Sequence, residues 1–117
     1  MTNTVSIKND KLFNKLVNKG NWYGADYLIL YVLPNKLSYN QIGLGVSEKV
    51  GKAYKRNYVK RLIREAYKNC ELSLKFGFDL FFVCKSKANF DGINYDLINK
   101  DISQLLLKAG LIIWNLY

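Results

Sequence analysis

Histidine is missing from the 117 residues, and cysteine, methionine and proline nearly so: two Cys, one Met and one Pro. Without histidine, the commonest general base and metal ligand is unavailable. Cys70 and Cys84 are too few for a disulfide framework or a structural zinc site, and neither belongs to a Cys-x-x-Cys pair. Both read as reduced core residues of a cytoplasmic protein. The nine acids are scattered, with no close pair of the kind that metal-assisted hydrolysis uses. No catalytic residue and no protein-held metal are therefore expected. Long hydrophobic runs are also lacking. Tyr27 to Leu33 and Leu111 to Trp114 fall far short of the ~20 residues of a membrane span, and the N-terminal Met-Thr-Asn-Thr-Val-Ser-Ile-Lys has no signal-peptide block. The expectation is a cytoplasmic chain with no membrane partner.

What is present is apolar content and positive charge. Half of the chain is apolar and 15% aromatic, enough to bury a core, and the length suits one domain over 1–117. Eighteen basic residues against nine acidic give a net charge of +9, which favours a polyanionic partner. Between Lys49 and Lys68 stand Lys49, Lys52, Lys55, Arg56, Lys60, Arg61, Arg64 and Lys68 against the single acid Glu65, so this window carries nearly all of the net charge. The chain uses 15 Lys and 3 Arg, and all three Arg lie between Arg56 and Arg64. A guanidinium grips a phosphate with a flat donor fork, or stacks on a base, as an ammonium cannot. Arginines gathered in a lysine-biased chain point to phosphate recognition.

Periodicity places the elements. Asn9 to Lys19 reads as a helix with the apolar strip Leu12, Phe13, Leu16 and Val17, ended by Gly20. Tyr27 to Leu33 reads as a buried strand stopped by Pro34. Tyr39 to Ser47 alternates: Ile42, Leu44 and Val46 face one way and Gln41, Gly43, Gly45 and Ser47 the other. The two glycines leave one side of the strand bare, either for a ligand or for a packed helix. Lys55 to Cys70 is the strongest helix, with the core stripe Val59, Leu62, Ile63, Ala66 and Cys70. Its like charges at 56/60, 60/64 and 64/68 repel by a few tenths of a kcal/mol per pair until a polyanion neutralises them. Phe78 to Cys84 is a third strand, and Asn94 caps a last helix, Tyr95 to Ala109. The tail 111–117 is apolar and expected to fold back. The order is α-β-β-α-β-α, an α/β arrangement (an α+β sandwich) with a single central sheet covered by helices.

Nucleotide-binding motifs fail on spacing. Gly45-Val-Ser-Glu-Lys-Val-Gly51-Lys52-Ala53 has five residues between its glycines where a P-loop has four, and Ala53 where the magnesium-binding hydroxyl belongs. Gly43-Leu-Gly45 lacks the third glycine of a dinucleotide fingerprint.

The segment Lys49 to Tyr67, KVGKAYKRNYVKRLIREAY, resembles the arginine-rich signature of the bacterial ribonuclease P protein component. The signature appears as Arg56-Asn57-Tyr58, then Lys60-Arg61 and Arg64-Glu65, preceded by the strand Gly43-Leu44-Gly45-Val46-Ser47. Phe13, Tyr31 and Asp79 fall where the family pattern expects similar residues, and the resemblance spans roughly 9–109. It implies the protein subunit of an endoribonuclease whose catalytic part is a large RNA using magnesium, with the isolated chain inert. It also implies binding to that RNA and to the 5′ leader of precursor tRNA, no obligate protein partner, and a left-handed βαβ crossover in place of the right-handed default. Carried over residue by residue, Lys52, Arg56, Asn57, Lys60, Arg61 and Arg64 match the motif facing the catalytic RNA, and Lys49, Lys55 and Lys68 extend it. Phe13 and Tyr31 match aromatic positions of the leader cleft, where rings stack on unpaired bases; Val17, Gly43, Gly45 and Ser47 complete the expected cleft. Three positions depart from the family: Tyr58 replaces an arginine, Glu48 a basic residue, and Val17 a position often aromatic. The competing readings are a general RNA- or DNA-binding module using the helix 55–70, and an anionic-membrane binder, which the helix's lack of an anchoring Trp or Phe disfavours.

Overall fold

The computed structural model describes residues 4–6, 10–85 and 92–113. Eight elements follow one another: β1 (Thr4–Ser6), α1 (Asp10–Lys19), β2 (Asn21–Gly24), β3 (Leu28–Pro34), β4 (Asn40–Val46), α2 (Ala53–Cys70), β5 (Phe78–Cys84) and α3 (Tyr95–Lys108). Short 3-10 turns, Glu48–Val50 and Glu71–Ser73, flank α2. The strands form one open sheet in the order β1-β4-β5-β3-β2. β4 runs parallel to β1 and β5, while β3 runs antiparallel to β5 and β2. The β4–α2–β5 unit joins adjacent parallel strands, the crossover at which the family resemblance expects the left-handed turn.

The alternation in the strand sequences sorts the two faces of the sheet. On one face Leu28, Leu30, Val32, Ile42, Leu80, Phe82 and Cys84 are buried, and α2 and α3 close over them with Val59, Leu62, Ile63, Ala66, Ile98, Ile102, Leu105 and Leu106. Each fully buried Leu, Ile or Phe in this layer contributes about 1.5–3 kcal/mol by leaving water. Among the described residues the opposite face is covered only by α1, in which Leu16 is the one fully buried side chain. The start of the apolar tail turns back as expected: Leu111 is buried, its carbonyl accepts from the Lys75 N–H at 2.8 Å, and the Ile113 N–H donates to Ser73 O at 2.7 Å. Residues 114–117 of the expected tail lie outside the described residues, as does Asn9 of the first helix.

Several expectations are corrected. The order gains two strands, β1 and β2. They are three and four residues long and lack an alternating pattern of their own, forming because β4 and β3 offer open edges. α2 begins at Ala53 rather than Lys55: Lys52 is its N-cap, without a side-chain cap hydrogen bond, so no capping residue marks the start. Tyr67, absent from the expected stripe, is fully buried, whereas Cys70 is only partly so. The Tyr67 ring packs edge-on against Phe82, and its hydroxyl pairs with Thr4 Oγ1 at 2.8 Å and accepts from Asn40 Nδ2 at 3.4 Å. Val17 leaves the apolar strip of α1 and is 46% exposed.

Buried polar groups fix the layers. Asn40, at the start of β4, donates through Nδ2 to Lys75 O and accepts through Oδ1 from the Phe78 N–H, both at 3.0 Å. Asp101 of α3 accepts through Oδ2 from the backbone N–H groups of Tyr27 at 2.7 Å and Leu28 at 3.2 Å, which ties the helix to the start of β3. Burial raises the Asp101 carboxyl above its ordinary range, and the two backbone donors pull it partly back. Asp101→Ala strands both donors and is expected to cost about 1–3 kcal/mol for each in urea unfolding, whereas Asp101→Asn keeps a carbonyl acceptor and costs less. A carboxyl raised in the folded state takes up a proton on folding as pH falls. The stability difference between wild type and Asp101→Asn therefore shifts towards wild type as pH drops through the raised value towards the ordinary 3.8.

Candidate nucleic-acid interface

The core stripe of α2 decides where its charge goes. With Val59, Leu62, Ile63, Ala66 and Tyr67 turned inward, the remaining positions are driven outward. Lys52, Asn57, Arg61, Arg64 and Lys68 are exposed, and Lys55, Arg56 and Lys60 are half-buried. Lys49 is exposed in the 3-10 turn ahead of the helix, where its backbone N–H donates to Ser47 Oγ at 3.2 Å. Gly51 then turns the chain into the helix at φ 156°, where an added Cβ would stand 2.7 Å from Lys55 Cδ. Every basic and polar residue expected of the binding surface thus lies on one helix or its lead-in.

This surface is electrostatically one-sided. The first turn of α2 carries no acid, so Lys52, Lys55 and Arg56 sit at the positive end of the helix dipole, an arrangement that costs stability until an anion arrives. Arg61 is held in place: its guanidinium lies 5.3 Å from the centre of the Tyr58 ring, and its Nε is 3.9 Å from Glu65 Oε1. The exposed ion pair contributes little energy, but ring and carboxylate together limit where the fork points. Tyr58 thus supports the neighbouring guanidinium.

The second expected surface lies across the sheet. In register, Trp22 faces Tyr31, Tyr31 faces Phe81 and Phe81 faces Gly43, so these four share the face covered by α1. Phe13 descends from α1 and stacks on Phe81 with ring centres 4.6 Å apart, and Tyr31 lies 6.3 Å from Phe81. The bare backbone of Gly43 is the seat of the Phe13 ring, since a Cβ there would approach Phe13 Cε1 to 2.2 Å; at Gly45 it would meet Phe81 Cζ at 3.1 Å. The open question about the two glycines is thus answered first by intramolecular packing. Phe13, Tyr31, Gly43 and Gly45 are brought together; Val17 stays on the exposed side of α1, and Ser47 leaves the strand to cap the following turn. Phe81, missed from the sequence, is the centre of the ring cluster. Its signal was the alternation of Phe78-Asp-Leu-Phe-Phe-Val-Cys84, which turns Phe81 away from Leu80 and Phe82. At one end of the same face a cleft of about 400 Å³ opens between Leu12 and Lys15 of α1 and Leu33, Gln41 and Asp79 of the sheet.

Among the described residues no three His, Cys, Asp or Glu come together. Burial pushes the Cys84 thiol up to about 11 and raises Cys70 as well, which keeps both as thiols near neutrality and poor nucleophiles. Among those residues no helix is long and apolar enough to cross a membrane.

Fold and surface together define a class: a small α+β domain that carries a cationic helix on one side of a mixed sheet and an aromatic cleft on the other. Residues 1–110 match the ribonuclease P family. The chain is 36% identical over 109 residues to the ribonuclease P protein component of Clostridioides difficile (strain 630), covering 92% of this chain and 94% of that protein. It is 39% identical over 106 residues to that of Clostridium botulinum (strain 657 / Type Ba4), covering 90% and 94%. The solved structure of the Staphylococcus aureus RNase P protein superposes with a TM-score of 0.82 at 26% identity, covering 92% of this chain and 96% of that one. The Thermotoga maritima RNase P protein gives 0.79 at 23% identity, over 88% and 96%, a likeness of fold. The chain belongs to the ribonuclease P protein component family, the protein subunit of an endoribonuclease of tRNA processing.

The packing of Phe13 over Gly43 has a measurable consequence. Gly43→Ala forces the ring from its seat and is expected to cost about 1–3 kcal/mol in denaturant unfolding. In a Phe13→Ala background the same substitution should cost less than about 1 kcal/mol, the two positions being coupled.

Proposed function

We propose that α2 and its lead-in dock the catalytic RNA of ribonuclease P while the aromatic face beneath α1 takes the unpaired 5′ leader of precursor tRNA. The family establishes the subunit role and the partnership with the RNA subunit; the division of labour between surfaces is this proposal. The observation that carries it is the two-sidedness of the sheet. α2 packs in the layer built on Leu30 and Phe82, whereas Phe13 stacks on Phe81 from the other side. One rigid sheet therefore presents cations and rings to two ligands at once.

The physical division follows from the residue types. Exposed Lys and Arg on a helix neutralise phosphates and release counterions, so affinity for RNA depends steeply on salt and little on sequence. Rings on a sheet stack on unpaired bases at about 1–3 kcal/mol per base and tolerate any of them. Such a cleft favours a substrate with a single-stranded extension over the product that has lost it. Bond breaking stays with the RNA in this reading. The magnesium expected in the RNA-containing particle is assigned to that RNA in the same reading. The same reading places the protein in the cytoplasm.

Two measurements test the division. Arg61→Ala is expected to weaken binding to the catalytic RNA several-fold and to reduce the slope of log K against log salt by about 1, with the thermal midpoint unchanged; an unaltered slope in filter-binding titrations removes α2 from the docking role. Phe13→Leu keeps an apolar side chain over Gly43 but removes the ring. In the reconstituted particle it should lower affinity for leader-bearing tRNA about fivefold or more while leaving mature tRNA unaffected. Equal losses on both substrates defeat the leader assignment.

A further inference from the structure

The row of rings does not stop at Tyr31. Trp22 stands directly opposite it on the edge strand β2 and so points to the same face, yet it is 67% exposed. Its neighbour Tyr23 packs towards the core, as alternation requires. The Trp22 ring is not adrift: its six-membered part reaches over Gly24, two residues along the same face, with Cζ3 3.9 Å from where a Cβ would be. The bare residue leaves room for the indole edge there, and most of the ring stays in solvent. The register thus runs Trp22, Tyr31, Phe81, Gly43 across four strands, three strand spacings or roughly 14 Å, with Phe13 closing the far end. A single exposed apolar side chain marks nothing by itself; Trp22 is distinguished by continuing a row of rings in register with Tyr31 and Phe81.

Charge favours RNA as the occupant. α1 ends at Lys19 and Gly20 leads straight into β2, so an exposed cation lies three residues from the indole, and Lys15 is exposed one turn earlier. A base on the indole would place its phosphates within reach of these ammonium groups.

We propose that Trp22 is a leader-contacting residue of this chain. It extends the stacking platform to the edge strand β2 and takes one more unpaired leader nucleotide than Tyr31 and Phe13 reach. The inference rests on the leader reading given above. It adds a position and a consequence: this protein gains affinity from leader nucleotides lying over β2.

The test uses the particle reconstituted with its catalytic RNA and compares leader-bearing with mature tRNA for wild type, Trp22→Thr and Trp22→Phe. Threonine keeps a strand-forming residue at an exposed edge position. Trp22→Thr should cut the preference for the leader-bearing substrate about fivefold or more, with mature tRNA binding unchanged, and Trp22→Phe should restore most of it. If wild type shows no preference, the leader reading itself fails. If wild type shows the preference and Trp22→Thr retains it in full, or loses affinity equally for both substrates, the role of Trp22 is overturned while the leader reading stands. A second readout is independent of affinity. With the other tryptophan replaced (Trp114→Phe), emission from Trp22 should be quenched by leader-bearing tRNA and not by mature tRNA. Absent or equal quenching, or quenching that follows protein concentration without RNA, as pairing of two β2 edges would give, overturns the assignment.

Discussion

The structure depends on how the ends of one crossover are held together. β4 leads out to α2 and β5 leads back beside it in parallel, so the start of β4 and the start of β5 must meet although Asn40 and Phe78 are 38 positions apart in the chain. Asn40 joins them, bonding the Lys75 carbonyl and the Phe78 N–H, and its amide also reaches the hydroxyl of Tyr67 from α2. Thr4 of β1 completes this set through the same hydroxyl. Three strands or their approaches and the basic helix therefore share one buried polar cluster. Such networks fix geometry when every member is satisfied, and among the described residues no buried side-chain polar atom lacks a partner. The orientation of α2, and with it the direction in which its cations point, follows from this closure.

Against that fixed frame the two faces of the sheet differ in kind. One is a dry layer of aliphatic and aromatic side chains under two long helices. The other carries a single ten-residue helix with one fully buried side chain, and it leaves rings partly in reach of solvent. A protein that needed only stability would cover both faces. The contrast is the one the proposed division calls for, a docking helix supported on one side and a strand of nucleic acid admitted on the other.

Much of this is readable in the residues because period and composition agree. Phe78 to Cys84, an apolar and aromatic run introduced by Gly77, forms a strand with those same ends; Val59, Leu62, Ile63 and Ala66 repeat at helical spacing and turn inward as expected. The gathering of all three arginines on one helix marks the cationic surface without any coordinates. What escapes the sequence is set by partners rather than by local pattern. β1 and β2 are too short to declare themselves and exist because edges of β4 and β3 are open. Tyr67 looks like a polar interruption, yet Thr4 and Asn40, distant in sequence, satisfy its hydroxyl. The facing of Phe81 follows from its own strand, but that Phe81 and Trp22 flank Tyr31 is set by strand register, which no single segment encodes.

β4 belongs to both halves of the molecule, and its alternating residues serve separate masters. Asn40 and Ile42 are committed to the layer under α2 while Gln41, Gly43 and Gly45 face the side of α1, the two glycines against Phe13 and Phe81. A strand's side-chain period of two makes this assignment all or nothing. Inserting or deleting one residue there would swap the roles wholesale, driving glycines inside and branched aliphatics out. The segment from Asn40 to Val46 can therefore tolerate exchange of side chains far better than any change of length.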